Sequence, residues 1–121
     1  MGAFRDLASI PPQQLAAGYA ARAVHGERLT FAVVEVDPGA DLPEHGHDNE
    51  QLGMVIEGEI TFHVGDEEQT LGPGETWTIP SGVRHRARGG PDGAVVIDVF
   101  APGRDDWRSI PEDAPVPSRW P

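Results

Sequence analysis

Glycine and proline interrupt this chain so often that no segment carries helical periodicity beyond one or two turns. Fifteen glycines and twelve prolines are spread over 121 residues, between short apolar runs and not gathered in one block. Proline removes a helix donor and clashes with the preceding turn, and glycine favours turns, so the pattern reads as strands separated by turns. Strands are predicted over 19–25, 28–37, 43–47, 51–57, 59–64, 68–71, 75–79, 83–88 and 94–100. Glu57-Gly58 reads as a hairpin turn between two of them, and Gly89 to Gly93 as a loop. That many short strands at regular spacing predict an all-β domain, closed as a barrel or jelly roll so that few edges stay exposed. The length suggests one domain. Residues 1–18, broken by Pro11-Pro12, are predicted to be an irregular N-terminal arm. Residues 19–101 are then the barrel and 102–121 a Pro-rich C-terminal tail.

Charge narrows the partners. Twenty acidic residues stand against nine basic ones, all arginine, for a net charge of −11. A nucleic-acid partner normally needs a basic face, so none is expected. Without cysteine, neither a disulfide nor a thiolate metal site is possible. No apolar run approaches the roughly 18 residues of a membrane span, and no charged-then-apolar leader is visible. The expectation is a cytoplasmic protein without membrane contact.

The chemistry gathers between Gly39 and Gly58. His45 and His47 are two apart, and side chains at i and i+2 of an extended strand share a face. Neutral imidazoles on one face are half of a first-row transition-metal site. If the strand stays regular, Gln51 joins that face and Glu50 points outward. A bulge would reverse the choice and offer Glu50 instead. His85, in P-S-G-V-R-H, is the third histidine of interest. Asp98 lies in the most apolar strand, A-V-V-I-D-V-F, where a carboxylate costs too much to sit unpaired. His25 and His63 read as ordinary strand residues, Arg84 and Arg86 as surface ion-pair partners, and Trp77 and Trp107 as core or interface packing.

Two spaced patterns carry a family resemblance. Gly39, five residues, His45, one, His47, three, Gln51, six, Gly58 resembles the first cupin motif. Gly74, five residues, Pro80, one, Gly82, two, His85 resembles the second. The resemblance implies a small single-domain cupin, a jelly-roll β-barrel that is often a homodimer, with the two terminal arms as interface elements. It also implies a divalent transition metal (Zn, Ni, Fe or Mn) on His45, His47, Gln51 and His85. Two positions depart from the motifs. Gln51 stands where Glu is usual, and Gly89 stands where Asn is usual, a change expected to loosen a strand end. Three imidazoles and an amide oxygen are all neutral, so a bound dication keeps its full charge and favours an anionic ligand.

Residues 97–104, I-D-V-F-A-P-G-R, are similar to the last strand of KdgF-type cupins of pectin degradation, which open unsaturated uronates to a linear keto form. That resemblance implies Asp98 as general acid or base, Arg104 as a bidentate carboxylate clamp and Phe100 as a wall of the sugar pocket. The ligand it implies is a small anion, a uronate. Two other classes are compatible with the same motifs: an iron or copper dioxygenase, and a non-enzymatic ligand-binding cupin with a structural metal.

Overall fold

Two glycine-containing stretches that look like turns are instead irregularities inside long strands. The computed structural model describes residues 2–121. It contains β1 (Gln13–Ala16), β2 (Tyr19–His25), β3 (Thr30–Val36), β4 (Asp41–His45), β5 (Glu50–Val64), β6 (Glu67–Leu71), β7 (Thr76–Ile79) and β8 (His85–Ala101). Among the described residues, the only helices are two 3-10 turns, Leu7–Ser9 and Asp105–Ser109. The expected all-β fold is present. None of these helices is long and apolar enough to cross a membrane.

The predicted hairpin at Glu57-Gly58 is not one. Residues 50–64 form a single strand, with irregularities between Val55 and Glu57 and between Gly58 and Ile60. The predicted loop at Gly89 to Gly93 is likewise the middle of β8. Gly58 (φ 77°) and Gly93 (φ 75°) explain both corrections. A side chain at Gly58 would begin 2.2 Å from the Gly93 carbonyl oxygen, and one at Gly93 would begin 2.3 Å from that of Val36. Both long strands bend where these backbones touch, as bulges allow. Gly89 does not loosen a strand end; it lies inside β8 and its N–H donates to the Ala40 carbonyl (2.9 Å).

The bends let β8 serve two regions of the barrel. Its second half pairs with β3 and with the first half of β5, and its first half pairs with β4 and the second half of β5. The sheet order is β1-β2-β3-β8-β5-β6, with β4 on β8 and β7 on β5. Alternation aims Val34, Val55, Ile60, Phe62, Trp77 and Val96 into a common core. Phe62 and Trp77 stack there, with ring centroids 4.5 Å apart.

The expected irregular arm contains β1, which pairs with β2, and the chain's end returns to it. Gln13 Nε2 donates to the carbonyls of Trp107 (2.9 Å) and Ile110 (2.8 Å). On the outer face, Arg22, only 2% exposed, pairs with Glu35 (3.2 Å) and donates to the carbonyls of Ile10 and Val116. The Arg119 amide closes the same cluster onto Glu35. A buried guanidinium is tolerable only because carboxylate and carbonyl oxygens surround it. Both terminal segments are thereby tied to one barrel.

Candidate metal centre

Strand register assembles the centre from four places in the sequence. His45, the last residue of β4, is directly opposite His85, the first of β8. Their ring centroids are 4.2 Å apart. His47 is not on the same strand as His45, contrary to the alternation argument. It lies in the turn between β4 and β5, its carbonyl accepting from Gly82 N (2.8 Å). Its ring still reaches to 5.0 Å from that of His85 and 5.6 Å from that of His45. One ring nitrogen of each of the three lies within 4.8 Å of the others.

Each imidazole is oriented by its own backbone. Nδ1 of His45 meets the Pro43 carbonyl (2.8 Å), that of His47 the Asn49 carbonyl (2.9 Å) and that of His85 the Val83 carbonyl (2.9 Å). A carbonyl only accepts, so Nδ1 carries the proton and each Nε2 presents a lone pair to the centre. Burial holds the His85 ring down at a pKa of about 4 and, with Arg104 nearby, lowers that of His47. Both are neutral ligands near pH 7. Among the described residues, His85 Nε2 is the one buried side-chain nitrogen or oxygen with no hydrogen-bond partner. A buried lone pair without a donor is costly, and a cation relieves that cost. The three histidines therefore fit a divalent transition metal.

Gln51, the second residue of β5, is buried, while its neighbour Glu50 is exposed. The Gln51 Nε2 donates to Asp98 Oδ1 (2.8 Å), which turns Oε1 to 3.2 Å from His47 Nε2. Two lone pairs thus face each other across a gap that a shared cation would fill.

Asp98 is the next layer. Gly53 pairs with Trp77 on one side and with Asp98 on the other. Lacking a side chain, Gly53 lets the indole of Trp77 cross and donate Nε1–H to Asp98 Oδ1 (3.0 Å). Trp77 is thus core packing with a polar task, which its sequence position alone does not reveal. Burial raises the Asp98 carboxyl to about 6, opposed by the bonds from Gln51 and Trp77 and by the charge of Arg104. A β-carbon at Gly53 would lie 2.2 Å from the indole. Gly53→Ala is expected to push Trp77 off Asp98 and cost about 1–3 kcal/mol as an overpacked core. A urea melt with tryptophan fluorescence measures it, and an unchanged midpoint would contradict the packing described here.

Phe100, paired with Gln51 across the sheet, sets its ring 5.8 Å from that of His47. Arg104 follows, its guanidinium carbon 4.9 Å from the Phe100 ring centroid and 4.7 Å from that of Trp107. Arg104 is already engaged on one edge, because its Nε and Nη2 donate to Asp106 Oδ1 (3.1 Å) and Oδ2 (3.0 Å). Asn49 and Asp106 were not singled out by sequence reasoning. Asn49 lies in the turn between β4 and β5, and its Nδ2 holds the Pro102 carbonyl (2.6 Å). His45, His85, Asp98, Phe100 and Arg104 line one cavity of about 440 Å³. His63 stands apart on β5 beside Glu68, and Arg84 pairs with Glu44 at the surface, as expected.

Comparison with known proteins gives three kinds of likeness. The family model described as "Cupin domain" matches residues 32–100. D-lyxose ketol-isomerase of Cohnella laeviribosi is 32% identical over 77 residues, which are 64% of this chain but only 37% of that enzyme. The chain therefore spans a little over a third of that relative's length. The structure of KdgF from Halomonas sp. superposes with a TM-score of 0.80 at 29% identity, covering 88% of this chain and 98% of that one. An RmlC-like cupin from Shewanella frigidimarina gives 0.81 at 26% identity, covering 88% and 96%.

Proposed function

This chain belongs to the cupin domain family, and we propose that it opens and tautomerises a small carboxylated sugar, an unsaturated uronate, with a divalent metal as Lewis acid. His45, His47, His85 and Gln51 Oε1 would hold the metal, which would supply Lewis-acid polarisation of a sugar oxygen. The four donors are neutral, so the site keeps a net positive charge and favours an anion.

The observation that carries this reading is the setting of Asp98. Its Oδ1 is held by Gln51 and Trp77, so the carboxylate is fixed in orientation within the same cavity as His45, His85 and Arg104. No hydrogen bond engages Oδ2 among the described residues, and that oxygen is the one free to move a proton. In ring opening of a 4,5-unsaturated uronate, Asp98 takes the proton from the anomeric hydroxyl. The bond from C1 to the ring oxygen breaks, C1 becomes an aldehyde, and Asp98 returns the proton to C4 as C5 becomes a ketone. One proton moves, and no oxidant is consumed. Phe100 packs against the sugar and keeps water from His47, and Arg104 takes the carboxylate. The structural likeness to KdgF supports the substrate class, and the sequence likeness to a ketol-isomerase supports proton transfer on a sugar.

The test is metal-loaded protein incubated with the 4,5-unsaturated galacturonate monomer. The expected result is loss of the conjugated double-bond absorbance with no oxygen uptake, and none without metal. Oxygen consumption would favour the dioxygenase class, and an inert mixture would favour a ligand-binding role.

A further inference from the structure

Arg104 has five N–H donors arranged on two edges, and the fold treats the edges differently. The Nε/Nη2 edge is filled by both oxygens of Asp106, at 3.1 and 3.0 Å. Nη1 donates to nothing among the described residues, although the side chain is only 12% exposed and lines the cavity. Everything around Arg104 removes freedom from it. Its backbone N–H donates to the buried Thr30 Oγ1 (2.8 Å). Asn49 Nδ2 holds the carbonyls of Pro102 and Gly103 immediately before it, at 2.6 and 3.2 Å. Its guanidinium lies against Phe100 and Trp107. The same Asn49 accepts the Nδ1 proton of His47 at its carbonyl, so one residue sets the metal ligand and the arginine-bearing turn together.

The geometry points to Asp106 as a positioning residue for anion recognition: by occupying the Nε/Nη2 edge of Arg104, it leaves the Nη1/Nη2 edge aimed at a ligand carboxylate. This rests on the reading of Arg104 as the carboxylate clamp. Asp106 also bears a charge that repels such a ligand, so two effects of opposite sign compete. Its side chain is 65% exposed, so water and salt screen the repulsion. Aim is not screened, and a bidentate pair tolerates little misplacement. Positioning should therefore outweigh repulsion.

Binding of D-galacturonate and of D-galactose to the zinc-loaded protein, by calorimetry, separates the ideas, because the two sugars differ in the carboxylate. Wild type is expected to prefer galacturonate, and Arg104→Met to lose that preference. Asp106→Asn is expected to weaken galacturonate about tenfold with galactose unchanged, the loss appearing in KM far more than in kcat with the unsaturated uronate. Asp106→Glu should recover part of it. If Arg104→Met abolishes the preference but Asp106→Asn leaves galacturonate binding unchanged or tighter, the positioning role is overturned and the clamp stands. Equal loss of both sugars in Asp106→Asn would also overturn it, as a merely structural effect. If wild type shows no preference at all, the clamp reading and the inference on it both fall.

Discussion

His85→Ala is expected to reduce bound divalent metal from about one per chain to near zero after desalting, read by elemental analysis. Its Nε2 is buried and unpartnered, and its ring is fixed by the Val83 carbonyl, so no other described side chain is placed to replace it. Losing one imidazole of three leaves a site that water must complete, at a large cost in affinity. The effect on the metal-free fold is smaller, because two terms oppose. The variant leaves a cavity beside β4, but it also removes a buried lone pair without a donor. Zinc should therefore raise the melting temperature of wild type and not of the variant. At a hundredfold excess over Kd, that stabilisation is about 2.7 kcal/mol. A variant that keeps stoichiometric metal would show that the three-histidine centre has been misread.

Asp98→Asn is expected to lower turnover of the unsaturated uronate by about 10²- to 10⁴-fold at unchanged metal content. The substitution suits the site because both hydrogen bonds to Asp98 end on Oδ1, from Gln51 Nε2 and Trp77 Nε1. An asparagine oxygen can accept both, though each bond loses its charge assistance. The donors also fix the amide's orientation, putting its NH₂ where Oδ2 was, and an amide there cannot take up a proton. Gln51 keeps its place, so metal affinity and fold should survive while proton transfer does not. Activity within a few-fold of wild type would remove Asp98 from the mechanism.

The motif spacings pointed to His45, His47 and His85, whose rings do meet, even though one step of the reasoning did not hold. His45 and His47 do not share a regular strand; the chain turns after His45, and His47 reaches the centre from that turn. Spacing encodes the turn as well as the strand, so the residues converge either way. Glycine was less informative. A positive φ serves a hairpin and a bulge equally, and Gly58 is a bulge because Gly93, 35 residues away, presses against it. Nothing local to Glu57-Gly58 reports that contact. Trp77 was legible as a core residue, but its bond to Asp98 depends on β7 and β8 both flanking β5 at Gly53, which is a matter of strand order.

The sequence by itself determined the all-β class, the three histidines and the neutrality of the donors around them, because turn chemistry and residue type are local properties. The tertiary structure decided which way those donors face. Gln51 shows why. An amide has an oxygen end and a nitrogen end, and Asp98, delivered by a strand 47 residues away, holds the nitrogen and leaves the oxygen facing His47.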